Sequence, residues 1–186
     1  MSAAAAPAVA TAAPAPAAST QQEEEKEEET EEAAAPAKKT SAPAKLSCST
    51  TRMFGGEGGA PFDDLNHKSI KKISVYGGLL VDAIMVTYDN GPGKRHGGDG
   101  GRDHSLELAD DEYITSVTIR HSNIVQCVTF VTNKGNKVEG GGKGRPIIDK
   151  KGEETEVKAP NGRKLIGING RAGTFLDAIG LRWGPV

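Results

Sequence analysis

Two short stretches of this 186-residue chain place a carboxylate at the end of a glycine-led turn. GGLLVDAI sets Asp82 four residues after Gly78, and GRAGTFLDAI sets Asp177 four residues after Gly173. Both frames read Gly-x-x-x-Asp-Ala-Ile and run on into an apolar stretch. An ionised carboxylate accepts two hydrogen bonds at once, and such charge-assisted bonds are the strong kind. Glycine lets a backbone approach closely and adopt positive φ. The frame therefore suits recognition through hydrogen bonds, and equally a plain hairpin turn, which Gly and Asp both serve. One such frame arises easily by chance. Two at corresponding points of a repeat are a signal.

Other residues with chemical potential point elsewhere less well. GGDGG at 97–101 has the glycines of a phosphate cradle but lacks the Lys-Ser/Thr pair and the helix that would follow. His67, His96, His104 and His121 fall on different turns without ligand spacing, so no metal site is expected. His96 beside Arg95 reads as a solvated loop pair. Asp63-Asp64 and Asp110-Asp111 are acid pairs of the kind a glycosidase uses. The first follows a glycine loop and the second precedes a strand, so turn and edge roles fit them better than catalysis. Cys48 and Cys127 make neither a disulfide framework nor a cysteine metal site. Cys127, inside an apolar run, reads as a small buried hydrophobe. No cofactor is expected.

The elements that must position Asp82 and Asp177 are strands. Residues 51–186 are glycine-rich, with short apolar and β-branched runs broken by Gly, Asn and Asp. The strand candidates are SIKKISVY, LLVDAIMVTY, SLELAD, YITSVTIR, IVQCVTFVT, NKVEG, PIIDK, ETEVKA, KLIGING and TFLDAIGLRW. Alternation such as Ile73/Val75 and Val117/Ile119 predicts one buried face per strand, and Trp183 is a core candidate. Two signals recur three times. Glycine loops stand at 54–59 (FGGEGG), 96–101 (HGGDGG) and 139–144 (EGGGKG), and strand–turn–strand units turn at Gly78, Ser122 and Gly173. Three similar units are too few for a propeller and predict three small antiparallel sheets around a pseudo-threefold axis.

Residues 1–50 are a different kind of chain. They are almost wholly Ala, Pro, Ser, Thr, Glu and Lys, with no aromatic residue, and predict a disordered tail. Eight glutamates and four lysines make the tail acidic and leave the rest slightly basic. The basic residues there are scattered among acids, which is no nucleic-acid footprint. The Ala/Pro start lacks the basic head and apolar core of a signal peptide, and nothing is apolar enough to insert in a membrane. A cytoplasmic protein is expected, with a non-classical secretion route left open. The tail reads as a solvated spacer.

FGGEGGAPFDD, HGGDGG, DEYITSVTI, CVTFVTNKG and GRAGTFLDAIGLRW, in that order, resemble the landmarks of the jacalin-related lectins over roughly residues 52–184. The resemblance implies an all-β fold, the β-prism I: three four-stranded antiparallel sheets with pseudo-threefold symmetry. It also implies carbohydrate binding without catalysis. By resemblance one sugar site is Gly173, Thr174, Phe175 and Asp177 with Gly59 of the first glycine loop. The second, of the mannose-binding type, is Leu79, Leu80 and Asp82 with Gly101. The third unit has Ser122 and Gln126 in place of Gly and Asp, so no sugar is expected there.

A hexose suits such a site. Adjacent hydroxyls meet the carboxylate, backbone N–H groups of the turn donate to other sugar oxygens, and Phe175 or Leu80 covers a C–H patch. Sites this shallow bind at about −4 to −6 kcal/mol, so avidity calls for two sites per chain and a homodimer or higher homo-oligomer. The family's galactose binders are typically cut to free a glycine N-terminus in the first loop. Gly55 and Gly56 are internal here, which favours mannose- or glucose-containing glycans as partners. A different class of reading stays open: a β-prism interaction scaffold whose frames are only turns, with the acidic tail binding a partner.

Overall fold

The computed structural model describes residues 47–142 and 152–186. Among them the chain forms thirteen strands and no helix. The first three are short: β1 (Ser49–Thr50), β2 (Phe54–Gly55) and β3 (Ala60–Asp63). Then come β4 (Ile70–Gly77), β5 (Val81–Tyr88), β6 (Gly91–Gly97) and β7 (Arg102–Glu107). A like set follows as β8 (Ile114–His121), β9 (Val125–Thr132), β10 (Lys137–Gly141) and β11 (Glu153–Lys158). The chain closes with β12 (Arg163–Ala172) and β13 (Leu176–Pro185).

These strands make three antiparallel sheets on one plan. Sheet 2 runs β6-β5-β4-β7 and sheet 3 runs β10-β9-β8-β11. Sheet 1 runs β1-β13-β12-β3, with β2 also paired to β13. β1 and β2 lie along one edge of β13, opposite Trp183/Arg182 and Ala178/Ile179, so they are two pieces of one interrupted outer strand. Each sheet is thus a central hairpin with one shorter strand on either side. This is the β-prism arrangement expected, and its first sheet is stitched from both ends of the folded region.

The alternation predicted for the hairpins places one face of each in a single core. Ile73, Val75 and Ile84 of sheet 2, Val117, Ile119 and Phe130 of sheet 3, and Ile168, Ile179 and Trp183 of sheet 1 are all buried. Burial of each such side chain is worth about 1.5–3 kcal/mol. Cys127 is buried as expected, while Cys48 is exposed.

The pairing registers carry the symmetry further than the sequence does. Each central hairpin has a bulge near its turn, where Asp82, Gln126 and Asp177 are skipped by the ladder. Each has a second bulge at its far end, at Lys71, Thr115 and Ile166. A bulged residue is left unpaired and its side chain is re-aimed. The two acids and the glutamine are therefore presented by the same local distortion.

Several expectations shift. The predicted tail, residues 1–50, lies outside the described residues up to Lys45 and Leu46, but Ser49 and Thr50 are strand, so the fold starts before Thr51. The candidate PIIDK also lies outside the described residues. β6 (GPGKRHG) and β3 (APFD) were not among the strand candidates. Both are edge strands, where a proline at position 92 or 61 removes no ladder donor that a neighbour needs. The third glycine loop aligns one residue later than expected: Glu139, Gly140 and Gly141 belong to β10, and Gly141 matches Gly55 and Gly97. At those three positions φ is 94°, 129° and 124° in turn, which glycine alone adopts easily.

Candidate functional site

The three hairpin turns have one backbone form. Gly78 N–H donates to Leu80 O at 3.0 Å, Ser122 N–H to Ile124 O at 3.0 Å, and Gly173 N–H to Phe175 O at 2.9 Å. The bulged residue stands two positions after the residue whose carbonyl accepts that bond. Against it lies the glycine loop of the same sheet, residues 56–59 between β2 and β3 and residues 98–101 between β6 and β7. The loops are tied on by Gly56 N–H to Asp177 O (3.0 Å) and Gly98 N–H to Asp82 O (3.1 Å).

These loops must be glycine because the carboxylates fill the space a side chain would take. A methyl group on Gly58 or Gly59 would lie 2.3 or 2.5 Å from an Asp177 oxygen. On Gly100 or Gly101 it would lie 2.7 or 2.8 Å from an Asp82 oxygen. The structure thus brings Gly59, Gly173, Thr174, Phe175 and Asp177 to one place, and Gly101, Leu79, Leu80 and Asp82 to another. Gly59, Gly101, Leu79, Gly173 and Thr174 are exposed, and both aspartates are half-buried.

The side chain expected to cover a sugar in the second place is not available. Leu80 is buried, at 8% exposure, whereas Leu79 is 55% exposed. Phe175, at the turn position of Leu80, is half-buried, and Thr174, at the position of Leu79, is exposed. The exposed apolar side chain beside Asp82 is therefore that of Leu79.

The loops also lock each unit to the next. A methyl on Gly56 would lie 2.2 Å from Asn123 O, one on Gly98 2.4 Å from Thr174 O, and one on Gly142 2.6 Å from Leu79 O. Each glycine loop thus faces the acid position of its own sheet and abuts the turn of another. Two arginines hold these loops, Arg171, which has no role in the sequence reading, and Arg95, which is expected there only as a solvated neighbour of His96. Arg171, on β12, donates from Nε to Gly58 O and from Nη2 to Gly59 O, both at 2.8 Å. Arg95, on β6, donates to Gly98 O (3.0 and 2.7 Å) and Gly100 O (3.0 Å), with its guanidinium 3.8 Å over the Tyr76 ring. The only signal in the sequence was an arginine close to each glycine motif or turn.

In the third unit the carboxamide replaces the carboxylate and is turned inward. Gln126 is buried and its Nε2 donates to Ser122 Oγ at 3.2 Å.

Residues 51–182 match the model of the jacalin-like lectin domain family. The chain belongs to that family. Among its relatives is horcolin of Hordeum vulgare, 35% identical over 141 residues, covering 68% of this chain and 90% of that protein. A solved structure of the Malaysian banana lectin is 27% identical with a TM-score of 0.65, and covers 75% of this chain and 100% of the other. The artocarpin–mannotriose complex is 26% identical with a TM-score of 0.61, and covers 73% and 97%.

As a jacalin-related lectin the protein is a non-catalytic, carbohydrate-binding protein, and the acid pairs have other work in it. Asp63 pairs with Arg182 through a 3.0 Å bond from Nε. Asp110 pairs with Lys71 at 2.7 Å, and Asp111 with Lys134 at 2.5 Å. Asp64 accepts from Tyr88 Oη at 2.7 Å and lies 2.6 Å from His96 Nε2. Burial, reinforced by Asp64, pushes the Tyr88 hydroxyl far above its usual pKa, so it stays a donor.

The solvated Arg95-His96 pair expected of this lectin is also corrected. The His96 side chain is about nine-tenths buried, stacked on Phe62 at 3.8 Å, and Arg95 lies against Tyr76. His67 stacks on Tyr88 at 3.7 Å. Asp64, His67, Tyr88 and His96 line a cavity of about 550 Å³ between β3 and the β5–β6 hairpin, with no potential metal-binding cluster among the described residues.

Proposed function

We propose that this lectin binds mannose- or glucose-type glycans at two sites. One is Asp177 with Gly59, Gly173, Thr174 and Phe175. The other is Asp82 with Gly101, Leu79 and the backbone of Leu80. The observation that carries the reading is a half-buried carboxylate, set by a bulge between an exposed turn and a loop of glycines, repeated in two sheets. Such a carboxylate accepts from two vicinal hydroxyls, and the exposed turn residues beside it leave it within reach of a terminal sugar. Relatives described as mannose-binding, or solved with mannotriose, support the sugar class. The position of Gly55 and Gly56 inside a continuous chain, after β1 and within the β2 region, supports mannose over galactose. The third unit is silent in this reading, because Gln126 is neutral and bonded within its own turn.

Isothermal titration of the full-length chain with methyl α-mannoside, against methyl α-galactoside, tests the proposal. Two mannoside sites per chain are expected. Binding of galactoside alone would overturn the specificity, and no binding of either by folded protein would leave an interaction scaffold.

A further inference from the structure

The two arginine clamps are not equivalent, and the difference has a consequence for both sites. Arg171 sits in the central hairpin of sheet 1, opposite Ala178. Its counterpart in sheet 2, opposite Ala83, is Tyr76. Arg95 stands two residues before Gly97, where sheet 1 has Met53 two residues before Gly55. The guanidinium thus comes from the central hairpin in one sheet and from an outer strand in the other, where it rests on the tyrosine that replaced it. Arg171 grips Gly58 and Gly59, the end of its loop that faces Asp177. Arg95 grips Gly98 as well as Gly100. Gly100 faces Asp82, but Gly98 abuts the carbonyl of Thr174, in the other site.

We infer that Arg95 is a positioning residue shared by both sugar sites, whereas Arg171 serves the Asp177 site alone. The inference rests on the reading of both turns as sugar sites. A loop of three glycines and one aspartate, 98–101, has much backbone freedom to lose, because glycine gives up more on ordering than any other residue. Two carbonyls held by one charged group remove that freedom before a ligand arrives, so binding does not have to supply the ordering. With the loop fixed, Gly100 and Gly101 stay against the Asp82 carboxylate, and Gly98 stays under the Thr174 turn. Arg95 touches neither carboxylate, so its effect passes entirely through the loop.

The test is a titration of full-length, ¹⁵N-labelled protein with methyl α-mannoside, following the amides of Gly59 and Gly101 as separate reporters of the two sites. Arg95→Met is expected to weaken both sites, by about fivefold each, the scale of one ordinary hydrogen bond's net contribution lost through a loop. Arg95→Lys keeps the cation over Tyr76 and one donor, and should recover part of the loss at both sites. Arg171→Met should weaken the Asp177 site only. A change at Asp82 alone in Arg95→Met, or at neither site, overturns the inference, as does a loss at both sites in Arg171→Met. A general loss of stability would not sort the sites in this way or be rescued by lysine. Should the wild-type protein take no mannoside, the sugar reading fails, and the clamp is judged by hydrogen exchange without sugar. Faster exchange at Gly98, whose N–H donates to Asp82 O, and at Gly173, whose N–H closes the other turn onto Phe175 O, in Arg95→Met supports the shared clamp, and unchanged exchange at Gly173 overturns it.

Discussion

The turns at Gly78–Asp82 and Gly173–Asp177 are the same object built twice, yet their surroundings differ in three ways. At Gly173 an added methyl would lie 3.4 Å from Gly59 Cα, so turn and loop nearly touch. At Gly78 nothing lies within 4 Å. The exposed middle residue is Thr174 in one and Leu79 in the other. The loops are clamped from different strands. The repeat therefore conserves what fixes the carboxylate, the bulge and the facing glycines, and varies what surrounds it. If both turns take sugar as proposed, this difference in surroundings is where a difference in affinity between them would arise.

The sharpest way to break the comparison is to remove the acids. Asp177→Asn and Asp82→Asn should each abolish one site, by about 100-fold or more, because two charge-assisted hydrogen bonds are lost together. Titration should then find one site in each single variant and none in the double. A second, smaller effect separates the turns. Gly173→Ala places its methyl in ordinary contact with Gly59 and 3.5 Å from an Asp177 oxygen, partly covering that carboxylate, and should weaken the Asp177 site several-fold, whereas Gly78→Ala enters open space and should leave the Asp82 site within about twofold. Methyl α-mannoside affinities of the two variants, read site by site, check this.

The leucines sharpen it further. Leu80→Ala should cost about 2 kcal/mol of stability, read by thermal or urea unfolding, since it empties a buried position. Leu79→Ala should leave stability unchanged and lower affinity at the Asp82 site about twofold, as a small apolar cover is lost. The reverse pattern would return Leu80 to the sugar.

The smallest effect concerns the acid pairs away from the sites. Hydrogen bonds from Lys71 and Lys134 hold the Asp110 and Asp111 carboxyls below their ordinary pKa. Their stabilisation is present above the unfolded carboxylate range and is lost as pH falls through the lowered folded values. Both pairs are exposed, so Asp110→Asn and Asp111→Asn should lower the melting temperature slightly at pH 7, and by less as the pH falls through the lowered folded values. Melting curves across that range check the sign.

Much of this was legible in the chain itself. The Gly-x-x-x-Asp-Ala-Ile frames, the three glycine motifs and the alternation of Ile73/Val75 and Val117/Ile119 lead to three sheets and two acid-bearing turns. β6 escaped because Gly91, Pro92 and Gly93 read as a loop, and an edge strand tolerates them. The burial of Leu80 rather than Leu79 escaped because adjacent apolar residues in a turn give no periodicity to tell inside from outside. His96 was misread because its partners, Phe62 and Asp64, are distant in sequence.

What the sequence by itself determined is therefore local: a turn with an acid at its end, a strand with one apolar face, a loop that only glycine can make. These depend on a few consecutive residues and on backbone sterics, which composition and spacing encode directly. What only the tertiary structure decided is which loop faces which acid, which arginine holds each loop, and that Gly98 abuts the turn at Thr174 in another sheet. Those contacts join residues far apart in the chain through pairing register and the packing of three sheets. No short pattern specifies them, because each is set by where the whole core places the backbone.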